Sequence, residues 1–513
     1  MTVQRRTFLK SASIALAASA APRALAHCGT CAPAPAKKPN IVIIFADDLG
    51  SGDLQCINKK SVIPTPHTTR LANEGMIFTD AHTTSAVCTP SRYSLVTGRY
   101  CWRTRLKHGV LSGFSSHLID PKRETIATLL KGAGYDTACI GKWHLGMDLP
   151  KPAKAGPKPK DKHKGRVDYT KKIQNSPNVN GFDYYFGVTA SLDMPPYTFI
   201  ENDKFVAPAT SRYPGSSFPN YSRGGDMAKD FSHVGALDIL TKKSCEHIAK
   251  SAKGDKPFFL YFPLTSPHKP CLPAERFVGK SKRGLYGDFL MQTDWVVGEV
   301  LKALDDAKVA DNTLLIVSSD NGSYMYRLKD NEPGHIKTPS VQGFRESNHT
   351  ANHIYRGTKA DIYDGGHRVP FIVRWPGKTP KASTCDTPVS IVDLLATCAA
   401  AGGVTKLAKT TGEDSFNLLP LMEGKPLPTP RAPVIHHSSG GHFAIRDGKW
   451  KLICSAGSGG RARPKGDAWK KPFQLYDMAA DPSETKNVAA ANPEVVNRLH
   501  TKIRAMMSAG TSK

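Results

Sequence analysis

The stretch NIVIIFADDLG, residues 40–50, indicates the fold class of the chain. Its unbroken apolar run is typical of a β-strand that is buried on both faces of a sheet, as the strands of parallel sheets are. Four later apolar runs have the same character: TACIGKWH (137–144), KPFFLYFPLTSPH (256–268), TLLIVSSDN (313–321) and RVPFIVRWP (368–376). The chain therefore contains the core strands of one large sheet.

Helical patterns lie between these strands, over residues 65–75, 124–134, 287–307 and 389–403. Strands that alternate with helices predict an α/β domain, with a large, mainly parallel sheet sandwiched by helices. From about residue 432 the pattern changes to short alternating segments at 442–455 and 473–478, followed by a helical stretch at 493–507. We therefore expect the α/β domain over residues 40–430 and a small C-terminal subdomain, an antiparallel sheet with one helix, over 431–513.

The N-terminal residues have the features of an export signal. Arg5 and Arg6 precede a short apolar run at residues 11–20, and small residues end at Ala26. This pattern predicts a twin-arginine signal peptide over residues 1–26, which is too short to span a membrane. Cys28 has the position of a lipoprotein acceptor, but His27 before it disfavours a lipid anchor. We expect export by the twin-arginine translocase to the periplasm or beyond, without stable membrane insertion.

Two segments contain few large apolar side chains that a core could bury. Residues 27–39 are a Pro- and Ala-rich linker, and residues from about 150 to 175 form a basic insertion that we expect to be mobile. The formal net charge is +26, and +22 remains without the four basic residues of the leader. This charge favours an anionic partner, although excess lysine also aids solubility. Nucleic acid is not expected, because the chain contains no recognisable nucleic-acid-binding motif.

The chain has eleven cysteines, an odd number. If one is chemically consumed, the other ten could pair as disulfides. Cys28 and Cys31 form a CGTC motif, for which a local disulfide or free thiols are favoured over a metal site.

Four of the five apolar runs end in ionisable or amide side chains. In open α/β sheets ligands bind beyond the carboxyl ends of the strands, so we expect these side chains to converge on one site. They are Asp47, Asp48, Lys142, His144, His268, Asp320 and Asn321.

The stretch CTPSRYSLVTGR, residues 88–99, places a cysteine beside a helix N-terminus. Pro90 favours the first turn of a helix, so we expect Thr89 to be its cap and Cys88 to lie just before it. A thiol in that position could act as a nucleophile with a lowered pKa, as in cysteine hydrolases. In an exported chain it could also be half of a disulfide.

The same stretch resembles the sulfatase signature, in which Cys-x-Pro-Ser-Arg followed by Leu-x-Thr-Gly-Arg directs a maturation enzyme to oxidise the cysteine to formylglycine. Every fixed position is filled, by Cys88, Pro90, Ser91, Arg92, Leu95, Thr97, Gly98 and Arg99. The resemblance continues through NIVIIFADDLG, GKWHLG, SPHKP, SSDNG and RGTKADIYDGGHRVP. It implies the alkaline-phosphatase-like α/β fold and a sulfuric ester hydrolase.

The resemblance also implies a divalent cation, Ca²⁺ or alternatively Mg²⁺, held by Asp47, Asp48, Asp320 and Asn321 together with the modified Cys88. Oxygen ligands of this kind suit a hard cation, although each aspartate pair alone could be a turn or cap. Formylglycine would be hydrated to a geminal diol that attacks sulfur.

The resemblance assigns roles to five further residues. Arg92 and Lys142 hold the diol, and Lys142, Lys359 and His268 receive the sulfate oxygens. His268 protonates the leaving oxygen, and His144 accepts the proton that is released when sulfate is expelled. In an extended segment Lys142 and His144 would point to the same side.

One position departs from the family pattern. Asp364 precedes Gly365-Gly366 where sulfatases more often have glutamate, which concerns packing near the site more than catalysis. The rest of the substrate would be bound by variable loops. Candidate contacts, each as easily an ordinary surface residue, are Arg103, Arg105, Asp193, Tyr197, His349, His353, His436, His437 and His442.

The charge and the resemblance together predict a sulfatase acting on a sulfated carbohydrate or polysaccharide. Two alternatives stay open. One is a phosphate or phosphonate monoester hydrolase of the same superfamily. The other is an exported polysaccharide-binding protein with an inactive site, which would follow if Cys88 were never oxidised.

Overall fold

The computed structural model describes residues 37–152 and 166–513. The predicted leader, most of the linker, the CGTC motif and the middle of the basic insertion lie outside the described residues. Within the described ranges, no helix is both long and apolar enough to cross a membrane.

The strands of the described residues are, in chain order, β1 (Asn40–Asp47), β2 (Met76–Phe78), β3 (Ala81–His82), β4 (Asp136–Lys142), β5 (Tyr184–Val188), β6 (Ile200–Glu201), β7 (Lys204–Phe205), β8 (Ser211–Tyr213), β9 (Gly225–Met227), β10 (Phe258–Pro267), β11 (Thr313–Ser319), β12 (Tyr326–Leu328), β13 (Gly343–Arg345), β14 (Phe371–Arg374), β15 (Ser383–Cys385), β16 (Val389–Ser390), β17 (Val434–His437), β18 (Phe443–Asp447), β19 (Trp450–Ile453) and β20 (Gln474–Asp477).

The α-helices are α1 (Pro66–Asn73), α2 (Cys88–Thr97), α3 (Ile126–Gly132), α4 (His233–Ser251), α5 (Gly284–Asp306), α6 (Asp364–His367), α7 (Leu394–Ala401), α8 (Leu419–Met422) and α9 (Pro493–Ser508). Short 3₁₀ segments lie at Cys101–Arg103, Pro177–Asn180, Glu275–Phe277, Ala310–Asn312, Ile391–Asp393 and Ala489–Ala491.

A ten-stranded sheet, in the order β15-β2-β14-β11-β1-β10-β4-β5-β6-β7, forms the centre of the fold. Its middle strands, from β11 to β5, pair in parallel. The predicted large, mainly parallel sheet is therefore confirmed, and so is the small antiparallel sheet, which has the order β17-β18-β19-β20.

The fifth apolar run does not join the parallel set. Its strand, β14, runs antiparallel to both β11 and β2. Between β11 and β14 the described chain contains only β12, β13 and the four-residue α6. A parallel connection needs a long crossover that carries the chain back to the other end of the sheet. Without one, β14 starts at the end where β11 finishes.

Strand β1 is apolar throughout because its side chains enter a hydrophobic core on each face of the sheet. Ile41 and Ile43 pack into the core on one face of the sheet, with side chains from α2, α3 and α7. Val42 and Ile44 pack into the core on the other face, with side chains from α1, α4 and α5. All four side chains are fully buried. Each such burial contributes roughly 1.5–3 kcal/mol, so the sheet centre is a rigid base for the strand ends.

Two local predictions were wrong, and one helix was missed. Residues 389–403 are not one helix: the Ser390 backbone N–H donates to Asp393 Oδ2, and α7 begins only after this cap. Thr89 does not cap α2, because Val87 has that position and Thr89 Oγ1 accepts from the Leu111 backbone N–H. Helix α4 was not predicted at all.

The possible disulfides are not found among the described cysteines. The nine that the structure describes are all free thiols, and most are buried. They lie on separate core elements, as Cys139 on β4, Cys398 on α7 and Cys454 directly after β19 show. They act as small apolar side chains rather than as cross-links.

Candidate active site

The ends of the parallel strands bring the predicted polar residues to one edge of the central sheet. Asp47 ends β1 and Lys142 ends β4, while His268 and Asp320 directly follow β10 and β11. All four side chains are buried. Because these strands are parallel neighbours, their carboxyl ends meet at the same edge.

A turn after β1 directs a second carboxylate into the site. Asp48 has a positive φ of 66°, a backbone conformation uncommon for residues other than glycine. Its backbone N–H donates to Asp320 Oδ1 (3.2 Å), and the next N–H, of Leu49, donates to Ser319 Oγ (2.9 Å). These bonds to the end of β11 hold the strained turn in place.

Three basic side chains pair with the three carboxylates of the site. Arg92, from the second turn of α2, is fully buried and reaches the end of the sheet. Lys359 comes from the loop before α6. The pairs are Arg92 Nε to Asp320 Oδ2 at 2.8 Å, Lys142 Nζ to Asp47 Oδ2 at 2.7 Å, and Lys359 Nζ to Asp48 Oδ1 at 2.6 Å.

Two of these pairs keep their carboxylates ionised, at Asp47 and Asp48. Burial alone would raise the pKa of Asp47, but Lys142, with His268 and Arg92, outweighs it and holds that pKa below its usual value. For Asp48 burial also acts to raise the pKa, and Lys359 and His268 lower it further than burial raises it. The site therefore offers negatively charged oxygens at neutral pH.

The oxygens that remain fit a hard divalent cation. Asp47 Oδ1, Asp48 Oδ2 and Asn321 Oδ1 are buried and have no hydrogen-bond donor. Asn321 Nδ2 donates to Asp48 Oδ1 (2.6 Å), which turns its amide oxygen away from that carboxylate. Ligand atoms of Asp47, Asp320 and Cys88 lie within 4.8 Å of one another. Orphaned carboxylate and amide oxygens are the donor set that Ca²⁺ and Mg²⁺ prefer.

Cys88 is the first residue of α2 and lies beside the carboxylates. Its side chain is buried, and Lys359 Nζ is 3.9 Å from its sulfur. Burial raises the pKa of the Cys88 thiol, and the nearby lysines, Lys142 and Lys359, only partly oppose this effect. An unmodified Cys88 is therefore a neutral thiol at neutral pH, which disfavours the cysteine-hydrolase alternative.

The two histidines of the site bond to the backbone through different ring nitrogens, so a different nitrogen is left for chemistry in each. His144 Nε2 lies 2.8 Å from the Leu111 carbonyl oxygen, to which it must donate, while Nδ1 is buried with no partner. His268 Nδ1 donates to the Lys269 carbonyl, and its Nε2 faces Asp48 Oδ2 at 3.6 Å. Burial lowers the pKa of both rings, most strongly for His144. His144 thus has a lone pair ready to accept a proton.

The expected extended geometry between Lys142 and His144 is wrong. Strand β4 ends at Lys142, and His144 has a φ of 58°, so the backbone turns within two residues. The turn lets Lys142 reach Asp47 while His144 bonds back to Leu111.

Most proposed substrate contacts have other partners in the fold. Arg103 pairs with Asp414, His349 with Asp53, and His442 with Ser455. Arg105 bonds to carbonyls of residues 116 and 117, and Tyr197 to the carbonyl of residue 223. His436 and His437 are buried, and His353 is half-buried. Asp193 pairs with Arg223 (2.5 Å) and lies close enough to His268 to influence its pKa.

Two basic residues near the site were missed. Burial and the nearby Arg461 lower the pKa of Lys269, whose ammonium lies 4.4 Å from the centre of the Tyr221 ring. Arg461 Nη1 is buried without a partner. Lys269 could have been noticed because it follows His268 directly. No signal in the sequence brings Arg461 to this edge from the C-terminal part of the chain.

Comparison with known proteins gives a consistent result over most of the chain. The Sulfatase family model matches residues 39–404, and the model described as N-sulphoglucosamine sulphohydrolase, C-terminal, matches residues 357–509. An N-acetylgalactosamine-6-O-sulfatase of Bacteroides thetaiotaomicron is 36% identical over 507 residues, covering 90% of this chain and 92% of the relative. Arylsulfatase A of Homo sapiens is 32% identical over 502 residues, covering 93% and 90%.

A solved structure shares the fold. It is a Bacteroides thetaiotaomicron protein from work on the metabolism of multiple glycosaminoglycans, with 34% sequence identity and a TM-score of 0.78. The match covers 92% of this chain and all of that one.

Proposed function

The chain belongs to the sulfatase family and hydrolyses sulfate esters, and from this premise we propose that its substrate is a sulfated carbohydrate. The sulfate ester of a hexosamine is the first candidate, because a relative at 36% identity is an N-acetylgalactosamine-6-O-sulfatase. The formal charge of +26 supports an anionic glycan.

The nucleophile of this proposal is formylglycine made from Cys88. The complete signature from Cys88 to Arg99 supports the modification, and the neutral, buried thiol is a poor nucleophile without it. A hydrated aldehyde supplies two hydroxyls on one carbon, one to attack sulfur and one to allow sulfate to be expelled afterwards.

A cation at Asp47, Asp48, Asp320 and Asn321 is the second part of the proposal. Bound there, Ca²⁺ or Mg²⁺ supplies a fixed positive charge beside position 88 that favours a deprotonated hydroxyl and an anionic ester. Arg92 orients Asp320 and also lies 3.6 Å from Asp47, so it fixes two of these ligands.

In this proposal Lys359 and Lys142 bind the sulfate. Lys359 Nζ lies 3.9 Å from the Cys88 sulfur, within reach of oxygens on a group attached at position 88. Lys142 is held by Asp47, and Lys359 by the neighbouring Asp48. Their ammonium groups counter the charge that develops on the sulfate oxygens.

His268 and His144 divide the proton transfers. The Lys269 carbonyl holds the His268 Nδ1 proton, so Nε2 is the nitrogen that protonates the departing sugar oxygen. Asp48 near Nε2 and the anionic ester both favour the charged ring. His144, fixed by Leu111, accepts a proton at Nδ1 when the aldehyde is restored.

We further propose that maturation precedes export. The leader predicts the twin-arginine translocase, which carries folded proteins, so a maturation enzyme in the cytoplasm could oxidise Cys88 first. The protein would then work in the periplasm or outside the cell.

One observation carries this proposal: three carboxylates beside Cys88 pair with basic side chains, and buried carboxylate and amide oxygens there still lack a hydrogen-bond donor. The test is to measure sulfate release from 6-O-sulfated N-acetylgalactosamine and phosphate release from the matching 6-phosphate. We expect faster turnover of the sulfate ester, and a loss of about 10⁴-fold or more in Cys88→Ala. Cys245→Ala, at a half-buried thiol on α4, is the matched control and keeps full activity.

The two alternatives give different results. A higher kcat/KM for the phosphate ester would favour a phosphate or phosphonate hydrolase. Binding of the sulfated sugar without turnover, in wild-type protein whose Cys88 is still a thiol, would favour a polysaccharide-binding protein.

A further inference from the structure

A second buried polar cluster lies where β3, α6 and β17 meet. It contains His82, His367 and His436, which we call the histidine cluster, and all three side chains are fully buried. One ring nitrogen of each lies within 4.8 Å of one nitrogen of each other ring. None of the three takes part in the proposed sulfatase mechanism.

Two of the rings have fixed tautomers. His82 Nε2 lies 2.7 Å from Asp80 Oδ1, and His436 Nδ1 lies 3.0 Å from the Thr83 carbonyl oxygen. These oxygens accept hydrogen bonds, so each facing nitrogen carries its ring's proton. A neutral imidazole has one N–H, which leaves lone pairs on His82 Nδ1 and His436 Nε2.

The third ring has two neighbours at the same nitrogen. His367 Nε2 lies 3.1 Å from the Ile362 carbonyl oxygen, an acceptor, and 3.1 Å from Lys451 Nζ, a donor that also bonds to Asp364 (2.7 Å) and Glu484 (2.6 Å). The ring proton is on Nε2 when that nitrogen donates to Ile362, and on Nδ1 when it accepts from Lys451. A cation bound at Nδ1 selects the first arrangement.

The ring nitrogens at the centre of the cluster have few partners. His82 Nδ1 and His367 Nδ1 face each other at 3.1 Å, and His436 Nε2 is buried without any hydrogen-bond partner. When the His367 proton is on Nε2, both facing nitrogens carry lone pairs, which repel unless a positive species lies between them; when it is on Nδ1, that proton joins the two rings. Two nitrogens bound to one Zn²⁺ at about 2.0–2.1 Å in tetrahedral geometry are roughly 3.3–3.4 Å apart, close to the observed separation.

We propose that the histidine cluster binds a transition-metal cation, Zn²⁺ foremost, through His82 Nδ1, His367 Nδ1 and His436 Nε2. Imidazole nitrogens select such metals over Ca²⁺ and Mg²⁺, and three imidazoles with an open fourth position are a common zinc site. Asp80 behind His82 supplies the outer carboxylate that orients zinc-bound histidines. The His367 and His436 rings stack with centroids 3.9 Å apart, so ligation turns His436 out of this stack.

The site would hold three parts of the chain together. His82 ends β3, His436 belongs to the small sheet, and His367 ends α6, which follows the loop carrying Lys359. A cation bound to all three would tie the small sheet to the segment that positions a sulfate-binding lysine. This inference stands independently of the substrate and of formylglycine at position 88.

The test is metal content per chain in full-length protein, measured by mass spectrometry of the elements. We expect about one zinc per chain in the wild type and at least a tenfold lower occupancy in His436→Gln. His437→Gln is the matched control, because His437 is the next residue of β17, is equally buried and also has an unpartnered Nε2. We expect it to keep its zinc.

X-ray absorption at the zinc edge on the wild type gives a reading that needs no variant. An imidazole-rich first shell supports the proposal even if His436→Gln does not fold. Two results would overturn it: equal zinc content in the two variants, or a wild type that binds no zinc after dialysis against a zinc buffer. In the second case a proton, and not a metal, lies between His82 and His367.

Discussion

The active site and the histidine cluster use charge in the same way and differ in their ligand atoms. In each, three acidic side chains face three basic ones. The active site pairs Asp47, Asp48 and Asp320 with Arg92, Lys142 and Lys359. Around the histidine cluster, Asp80, Asp364 and Glu484 pair with Arg368, Arg446 and Lys451. Neither cluster needs a cation to balance its charges, so the unpartnered atoms decide what it can bind.

Those atoms are oxygens in one cluster and nitrogens in the other. Access differs as well: His268 and Lys359 are 5% and 7% exposed, whereas the three rings of the histidine cluster are 0% exposed. A Ca²⁺ or Mg²⁺ ion in the active site, beside the slightly exposed His268 and Lys359, can contact a substrate that enters from solvent. A nitrogen site sealed from solvent can only stabilise the fold.

Among the changes that distinguish the two clusters, the largest effect is expected for Asp320→Asn, which removes a carboxylate from the active site only. We expect kcat/KM for a sulfate ester to fall about 10³-fold, and unfolding to become easier by about 3 kcal/mol because Arg92 keeps a buried, poorly paired charge. Calcium or magnesium content falls with activity, and zinc content does not change. Metal content and kinetics measured on the same sample check this.

The control for this change is Asp305→Asn, which breaks an exposed pair with Arg70 and should leave all three quantities unchanged. If Asp320→Asn kept both its alkaline-earth ion and its turnover, the oxygen cluster would not be the catalytic centre.

A smaller and selective effect is expected for His268→Ala. A sugar alkoxide is a poor leaving group that needs a proton, whereas nitrophenolate leaves without one. Turnover of the sulfated sugar should therefore fall roughly 10²–10³-fold, and that of nitrophenyl sulfate by about tenfold or less. Equal losses on the two substrates would mean that His268 binds sulfate and does not donate the proton.

The smallest effect concerns a buried imidazole outside both clusters. Burial lowers the pKa of His233, at the start of α4, to about 4, against a usual value near 6.5. Between these values the unfolded chain binds more protons than the folded one, so stability falls as pH falls through this window. His233→Phe should reduce the loss of unfolding free energy between pH 7 and 4.5 by about 2 kcal/mol, measured by urea unfolding. If the unfolding free energy of the wild type and of His233→Phe changed equally with pH, the lowered pKa of His233 would be contradicted.

Strand interiors and strand ends could be predicted from sequence because their signals are local. The apolar run from Asn40 predicts β1, and the acids at its end predict that the strand leads to the site. The sulfatase signature identifies Cys88. The direction of β14 depends on the lack of a crossover helix, which no single segment reveals. The cap of α2 depends on how Thr89 meets Leu111, a contact between different parts of the chain.

The histidine cluster shows the same limit more clearly. His436 was considered a substrate contact, and Asp364 only a departure from the family pattern. Each acquires a role in the cluster only when β3, α6 and β17 are packed together, because its partners come from distant parts of the sequence. Isolated histidines carry no spacing signal of a metal site.

Mass spectrometry of the peptide that contains Cys88, from protein made in its native host, tests the central claim most directly. The account predicts that the sulfur is replaced by a carbonyl oxygen at this residue, in the same preparation that hydrolyses the sulfate ester. An intact thiol at Cys88 in active protein would contradict it, because the buried, neutral thiol cannot supply the proposed nucleophile.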